Sequence, residues 1–245
     1  MDPLARERGG SGRSLRAAAS APKDRRRIGT IRSVDPDDHV ALLPTGLLRY
    51  AGVVAVAVLW TTVTVGMHRT GLRVADERPI SYLGTVSDAV QLFRVGLIAA
   101  AGLLCGFAWA VHRRLARSTG FLTVFLLGMG CQAVVAVVPL TGDGASRPIH
   151  VAAGIALGLS LPLLMWRFAV AQERGRWRAV AFGLMWLEVA ACVAGVALSR
   201  AGRATFAEAV PAALFHLWII VVTFRWPAWR ALPAPASVGS AGRSE

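Results

Sequence analysis

The stretch AVQLFRVGLIAAAGLLCGFAWAV, residues 89–111, carries one charged side chain, Arg94, among its 23 residues. About 20 apolar residues, rising 1.5 Å each in an α-helix, cover the roughly 30 Å hydrocarbon core of a bilayer. Within that core each backbone N–H and C=O group needs a partner inside the protein, and a helix supplies those partners by itself. The stretch therefore predicts a transmembrane helix.

Five further apolar stretches of similar length lie along the chain, at 45–66, 120–140, 149–170, 179–199 and 209–225. Apolar residues make up 55% of the 245, whereas a soluble globular domain contains about 45–50%. The sequence thus predicts an all-α, multi-pass membrane bundle of six transmembrane helices. Pro162 predicts a kink in the fourth helix, and Pro211 is expected in the first turn of the sixth.

The basic residues predict how the bundle is oriented. With the N-terminus inside, 18 of the 27 Lys and Arg residues fall in the inner tails and connections, and 6 fall in the outer connections. Cytoplasmic segments carry such an excess, so both termini are expected in the cytoplasm, with the helices in the cell (plasma) membrane of a bacterium. Residues 1–42 and 227–245 lack apolar periodicity and are predicted to be disordered cytoplasmic tails around a transmembrane domain at 43–226.

The formal net charge of +13 does not indicate a nucleic-acid-binding protein. Its basic residues lie in tails and short connections, and no basic domain interleaved with aromatic residues is present. Positive charge in these places is typical of membrane topology and of contact with anionic headgroups. The expected partners are therefore membrane lipids and, beside them, a membrane protein.

The sequence carries no signature of a catalytic, metal or cofactor site. GxSxG, P-loop and HExxH motifs are absent, and Cys105, Cys131 and Cys192 lack the spacing of metal ligands. Lys23 is the one lysine and lies in the tail, which excludes a retinal Schiff base. We predict no catalytic residue, no metal and no cofactor.

Two glycines four residues apart, Gly154 and Gly158 in GIALG, form a small-xxx-small pattern. Such patterns let helix backbones approach closely. We expect this one to pack α-helices within the bundle, and dimerisation is the less common alternative.

The first outer connection, His68 to Phe93, is the most informative polar stretch. Pro79 fixes a rigid start, Ser81 can cap or turn, and Gly84 permits a positive φ. Ser87 or Asp88 is expected to cap the second helix. The stretch predicts either an ordinary outer turn or the mouth of a site.

Ionisable residues inside the spans are the other candidates, because a charge at mid-bilayer is costly unless it is paired or wet. Glu188, His216 and Arg94 are expected to meet inside the bundle, with His150 and Asp88 above them. Together with Ser81, these are the predicted ligand-binding residues. The alternative is a polar network that only fixes how the helices pack.

Two runs, PISYLGTVSDAVQLFRVGLIAAAGLL and RPIHVAAGIALGLSLPLL, resemble the DRAM/Frag/Sfk-type membrane proteins and the related bacterial family called domain of unknown function 998. The matching positions are Pro79, Ile80, Ser81, Gly84, Thr85, Phe93 and His150. The family turn has an acidic residue after the serine, and this chain has Tyr82 there. The resemblance implies six spans and a role in membrane homeostasis or lipid organisation, without an agreed catalytic mechanism.

Three functional hypotheses follow from the sequence. The first is a non-enzymatic protein that organises, senses or binds lipid or modulates a membrane partner. The second is a small secondary transporter or channel that uses Glu188 and His216. The third, an intramembrane lipid-modifying enzyme, would need His150, Asp143 and Asp88 at one membrane face. Convergence of the polar residues on a cavity that opens sideways to lipid would favour the first.

Overall fold

The computed structural model describes residues 43–74, 76–115, 120–141 and 144–229. These residues contain six α-helices: α1 Leu43–Thr70, α2 Val90–His112, α3 Phe121–Val137, α4 Ser146–Ala171, α5 Arg176–Arg200 and α6 Ala204–Arg225. Two 3-10 turns, Ile80–Gly84 and Pro227–Trp229, complete the regular structure, and the described residues contain no strand. The predicted all-α class is confirmed. Of the predicted disordered tails at 1–42 and 227–245, only Pro227–Trp229 is described, as a 3-10 turn, and the rest lies outside the described residues.

Five of the helices, α1, α2, α4, α5 and α6, are long and apolar enough to cross a membrane. The remaining helix, α3, is apolar but has 17 residues, at the lower end of the length that spans a bilayer. It ends before the predicted residue 140 because Val138 is extended, the conformation that a following proline favours.

The sixth helix begins earlier than the sequence indicated. Its first residue is Ala204 and not 209, so Pro211 lies inside the helix and not in its first turn. Membrane helices tolerate an internal proline because other groups can satisfy the freed carbonyl. Pro162 likewise lies inside α4, which continues through it.

The helices form a ring in chain order. Each helix packs against the next, and α6 contacts α1 to close the ring. We call the end where α1 begins and α6 ends the tail end, and the opposite end the turn end. The 3-10 turn at 80–84, below called the 80–84 turn, contacts α1, α2, α3 and α6 at the turn end.

The tail-end half of the bundle is filled with aromatic side chains. Phe168 and Trp218 pack edge to face at 5.3 Å between ring centroids, and Phe107 meets the same tryptophan at 6.2 Å. Phe121 and Phe125 extend this cluster along α3. All five side chains are fully buried, so this half forms the solid core of the molecule.

Candidate functional site

The turn-end half contains a cavity of about 1190 Å³. Residues of all six helices and of the 80–84 turn line it, and most of them are apolar. Phe215 forms the boundary between the two halves, because it lines the cavity and also stacks on Trp218 of the aromatic core. The cavity slightly exceeds the roughly 300–1,000 Å³ that is usual for small-molecule sites.

The cavity reaches the surface between α4 and α5. Val151, Ile155 and Leu159 follow one another at four-residue spacing along α4, and each lines the cavity while remaining exposed. Val196 does the same on α5, and Leu159 is 67% exposed. This wall is apolar on the side that a membrane protein turns to lipid.

Glycines keep this side of the cavity open. A Cβ added at Gly154 or Gly158 would meet no atom within 4 Å, and both residues line the cavity. At Gly195 on α5, by contrast, an added Cβ would lie 2.7 Å from the backbone oxygen of Ala207 on α6. The prediction that the GIALG pattern packs helices closely is therefore wrong. Its glycines face open space.

The two helix prolines leave carbonyl groups at the cavity wall. Proline has no N–H, so the residue four positions earlier loses its helical hydrogen-bond donor. For Pro162 that residue is Gly158, and for Pro211 it is Ala207, and both line the cavity. The Cys192 sulfur lies 3.9 Å from the Gly158 oxygen. Both oxygens thus lie against α5, the Gly158 oxygen at Cys192 and the Ala207 oxygen at Gly195.

Glu208 is the centre of a polar cluster at the turn end. Its Oε2 accepts a hydrogen bond from the Ser81 backbone N–H, and its Oε1 accepts one from the Ser81 hydroxyl, both at 2.9 Å. The carboxylate also interacts electrostatically with His150. Glu208 is exposed and lines the cavity, so its exposed surface faces that space.

His150 and Arg147 extend the cluster along α4. His150 is buried, and its Nδ1 lies 2.6 Å from the Val138 carbonyl oxygen. Because a carbonyl only accepts, Nδ1 carries a proton and Nε2 is left for other partners. Arg147, three residues earlier and so on the same helix face, is exposed and also lines the cavity.

A hydrogen-bonded segment holds Ser81 in place. The Thr205 hydroxyl at the start of α6 donates to the carbonyl oxygens of Arg78 and Asp76. The Arg78 guanidinium in turn donates one hydrogen bond to each carboxylate oxygen of Asp76, at 3.1 and 2.8 Å. These hydrogen bonds hold the pKa of the half-buried Asp76 carboxyl well below its usual value. The chain before the 80–84 turn is thus fixed to the helix that carries Glu208.

His216 occupies a deeper position in the cavity. The Trp60 indole N–H donates to His216 Nδ1 at 3.0 Å, and both residues line the cavity. Since Nδ1 is the acceptor, the ring proton is on Nε2. His216 therefore adds a polar group to the cavity wall in addition to the Glu208 cluster.

Glu188 lies next to the cavity but does not line it. Its side chain is fully buried, Oε1 is 3.7 Å from the Cys192 sulfur, and Oε2 has no hydrogen-bond partner among the described residues. Arg94 is half-buried and does not line the cavity either. The structure does not bring Glu188, Arg94 and His216 together, and no hydrogen bond or ion pair joins them.

Asp88 lies outside the site. It is exposed, and its Oδ1 accepts a 3.3 Å hydrogen bond from the Ser87 hydroxyl. The prediction that Ser87 or Asp88 caps α2 is wrong, because Ala89 takes the cap position without a side-chain hydrogen bond. Of the six predicted ligand-binding residues, Ser81, His150 and His216 thus share the cavity. Their roles stay predictions.

Sequence reasoning missed Glu208 entirely. The sixth span was expected to begin at 209, with Pro211 in its first turn, which left Glu208 in a loop. A helical signal was present, because Glu208, Pro211, Ala212 and Phe215 recur at helical spacing and form one face. All four line the cavity. A helix continued through the proline would have placed the glutamate on this face.

The structure also bears on a metal site and on the site that the enzyme hypothesis requires. Among the described residues, no group of three or more His, Cys, Asp or Glu side chains could hold a metal ion. Asp143, which the enzyme hypothesis needs beside His150, lies outside the described residues, and Asp88 does not line the cavity. The cavity with its Glu208 cluster is therefore the arrangement that a functional account has to explain.

No family model, curated protein or solved structure matches this chain. Its resemblance to the DRAM/Frag/Sfk-type proteins and to the family called domain of unknown function 998 accordingly stays a prediction.

Proposed function

We propose that this protein is a non-enzymatic membrane protein that binds a lipid-like amphiphile in the turn-end cavity. The observation that carries the proposal is the form of that cavity. It is apolar along most of its wall, reaches the surface between α4 and α5, and has Glu208, Ser81, His150 and Arg147 at one end. A molecule with an apolar tail and a polar head matches this distribution of side chains.

The side opening supports a ligand that arrives from the bilayer. Val151, Ile155, Leu159 and Val196 are apolar and exposed beside the cavity, so a hydrocarbon tail crossing this wall would leave no polar group unsatisfied. Small-molecule sites combine such apolar walls with a few polar groups that fix orientation. The tail would extend towards lipid while the head stays at the turn end.

We further propose that all six helices cross the cell membrane, with both termini in the cytoplasm. Support comes from the ring of six helices in chain order and from the excess of basic residues in the tails and connections of the tail end taken together, 18 against 6. The 17 residues of α3 are enough for a short span. Reporter fusions after residue 245 and within 142–143 would report opposite sides of the membrane. The same side for both would contradict this topology.

The transport alternative has less support. It pairs Glu188 with His216, and of these two residues His216 alone lines the cavity. The Oε1 atom of Glu188 instead lies 3.7 Å from the Cys192 sulfur. A transported ion would therefore meet one polar residue of the pair and not both.

Native mass spectrometry of the detergent-extracted protein tests lipid binding. Gly154→Leu/Gly158→Leu places two side chains in the open cavity, and Gly130→Leu adds the same group at an exposed α3 glycine that has no atom within 4 Å of its added Cβ. We expect wild type and Gly130→Leu to retain a lipid through detergent washing, and the double variant to lose it. Equal retention in all three proteins would contradict the proposal.

A further inference from the structure

Two opposite charges line the same end of the cavity without neutralising each other. Glu208 is on α6 and Arg147 is on α4, and both are exposed residues of the cavity wall. No ion pair within 4.0 Å joins these two side chains, whereas Arg78 and Asp76 form one at 2.8 Å. A ligand that binds here therefore meets a negative and a positive group in the same cavity.

The carboxylate of Glu208 can still accept hydrogen bonds from a ligand. Each of its oxygens accepts one hydrogen bond from Ser81, at 2.9 Å, and an ionised carboxylate offers about four lone-pair sites in total. The remaining sites belong to a side chain whose exposed surface lies in the cavity. A primary ammonium group, which has three N–H donors, matches them.

The α4 side of the same cluster matches a phosphate. The Arg147 guanidinium presents N–H donors in a fork that fits phosphate oxygens. His150 is on the same helix face, but with its proton on Nδ1 its Nε2 can only accept a hydrogen bond, so Arg147 is the phosphate donor on this face. A phosphate bound by Arg147 would lie in the same cavity as the ammonium site on Glu208.

We infer that the lipid bound in this cavity is a zwitterionic phospholipid with a primary amine, of the phosphatidylethanolamine class. Its ammonium group binds Glu208 and its phosphate binds Arg147. An anionic headgroup without an amine can place its phosphate on Arg147, but it has no positive charge for Glu208. A choline headgroup has no N–H to donate to the carboxylate. This inference rests on the proposed lipid binding.

Titration of delipidated protein with defined probes tests the inference. The probes are dioleoyl phosphatidylethanolamine, dioleoyl phosphatidylcholine, dioleoyl phosphatidylglycerol and the soluble headgroup glycerophosphoethanolamine. We expect phosphatidylethanolamine to bind about tenfold more tightly than the other two lipids, the factor that about 1.4 kcal/mol produces. The soluble headgroup should compete at least a hundredfold more weakly. Equal affinity for it would overturn the assignment to a lipid.

Glu208→Gln removes the negative charge of the ammonium site while keeping the hydrogen bonds to Ser81. Its amide oxygen can accept the Ser81 N–H, and its amide N–H can donate to the Ser81 hydroxyl oxygen. We expect this variant to bind phosphatidylethanolamine about tenfold more weakly and phosphatidylglycerol within twofold of wild type. An unchanged preference for phosphatidylethanolamine would overturn the inference.

Arg147→Gln gives an independent reading, because Arg147 is exposed and its loss leaves the helix packing intact. Both lipids should weaken by a similar factor, about fivefold or more, while the preference between them remains. Unchanged affinity for both would overturn the phosphate assignment.

Gly154→Leu/Gly158→Leu distinguishes failure of the headgroup inference from failure of the proposed lipid binding. If it abolishes binding while wild type does not discriminate between lipids, only the headgroup inference fails. If it binds like Gly130→Leu, the proposed function fails.

Discussion

The two halves of the bundle use the same six helices in opposite ways. At the tail end, large rings such as Phe168 and Trp218 fill the space between helices. At the turn end, glycines and prolines of α4, α5 and α6 line a cavity of about 1190 Å³. Close packing is expected throughout a protein interior, and the binding that we propose for the turn half accounts for a void of this size there. We expect the tail half to contribute most of the stability of the bundle.

The largest expected effect comes from removing one ring of the tail-end core. Phe168→Ala should lower the free energy of unfolding by about 3–5 kcal/mol, the cost of deleting a fully buried aromatic side chain. Phe93→Ala is the matched change at the cavity wall, where the ring is also buried but belongs to a smaller apolar cluster with Leu83 and Leu97. It should cost roughly half as much, because fewer contacts are lost. Reversible denaturation of both variants in the same detergent measures the difference, and equal costs would argue that the turn half is as well packed as the tail half.

A smaller loss is expected when the turn is released from α6. Ser81→Ala removes the hydroxyl bond to Glu208 and keeps the backbone bond, so stability should fall by about 1.5 kcal/mol, as for a hydrogen bond to a charged group. Hydrogen exchange at the 80–84 turn should speed up while α3 and the tail-end core stay protected. Protection that is unchanged at the turn would show that Glu208 does not hold it.

Gly195→Ala tests the close approach of α5 and α6 beside the cavity. Its new Cβ would meet the Ala207 carbonyl oxygen at 2.7 Å, and such overpacking costs about 1–3 kcal/mol. Gly183→Ala on the same helix meets no atom within 4 Å and should be neutral or stabilising, because alanine favours the helix. Thermal unfolding of the two variants compares them directly. A destabilised Gly183→Ala with an unaffected Gly195→Ala would reverse the assignment of which glycine packs.

The smallest effect concerns Asp76 in the exposed segment before the turn. Its pKa is lowered by the hydrogen bonds from Arg78, so the stabilisation is complete above the unfolded-state pKa of about 3.9 and is lost as the pH falls through the folded-state value. Asp76→Asn should therefore lower the unfolding temperature slightly and by a constant amount between pH 8 and pH 5. The difference should shrink below about pH 4. A difference that grows on acidification would contradict the assigned direction.

The sequence predicts the helices well and the cavity poorly, for a physical reason. Apolar length along 89–111 is a local property, so the helix there follows from composition alone. Whether Gly154 and Gly158 face a neighbouring helix or a void depends on what α5 presents opposite them, and that is not local. Glu208 was missed for a related reason. Because proline is common in the first turn of a helix, Pro211 was expected to mark the start of the sixth helix, which placed Glu208 in a loop. In the structure Pro211 lies inside α6.

Cryo-electron microscopy of the protein in nanodiscs made from host membrane lipids tests the central claim most directly. The account predicts an elongated density that begins beside Glu208 and Arg147, passes along the α4 residues Val151, Ile155 and Leu159, and continues between α4 and α5 into the bilayer. A cavity filled by inward movement of α4, or one that contains water and no continuous density, would contradict it.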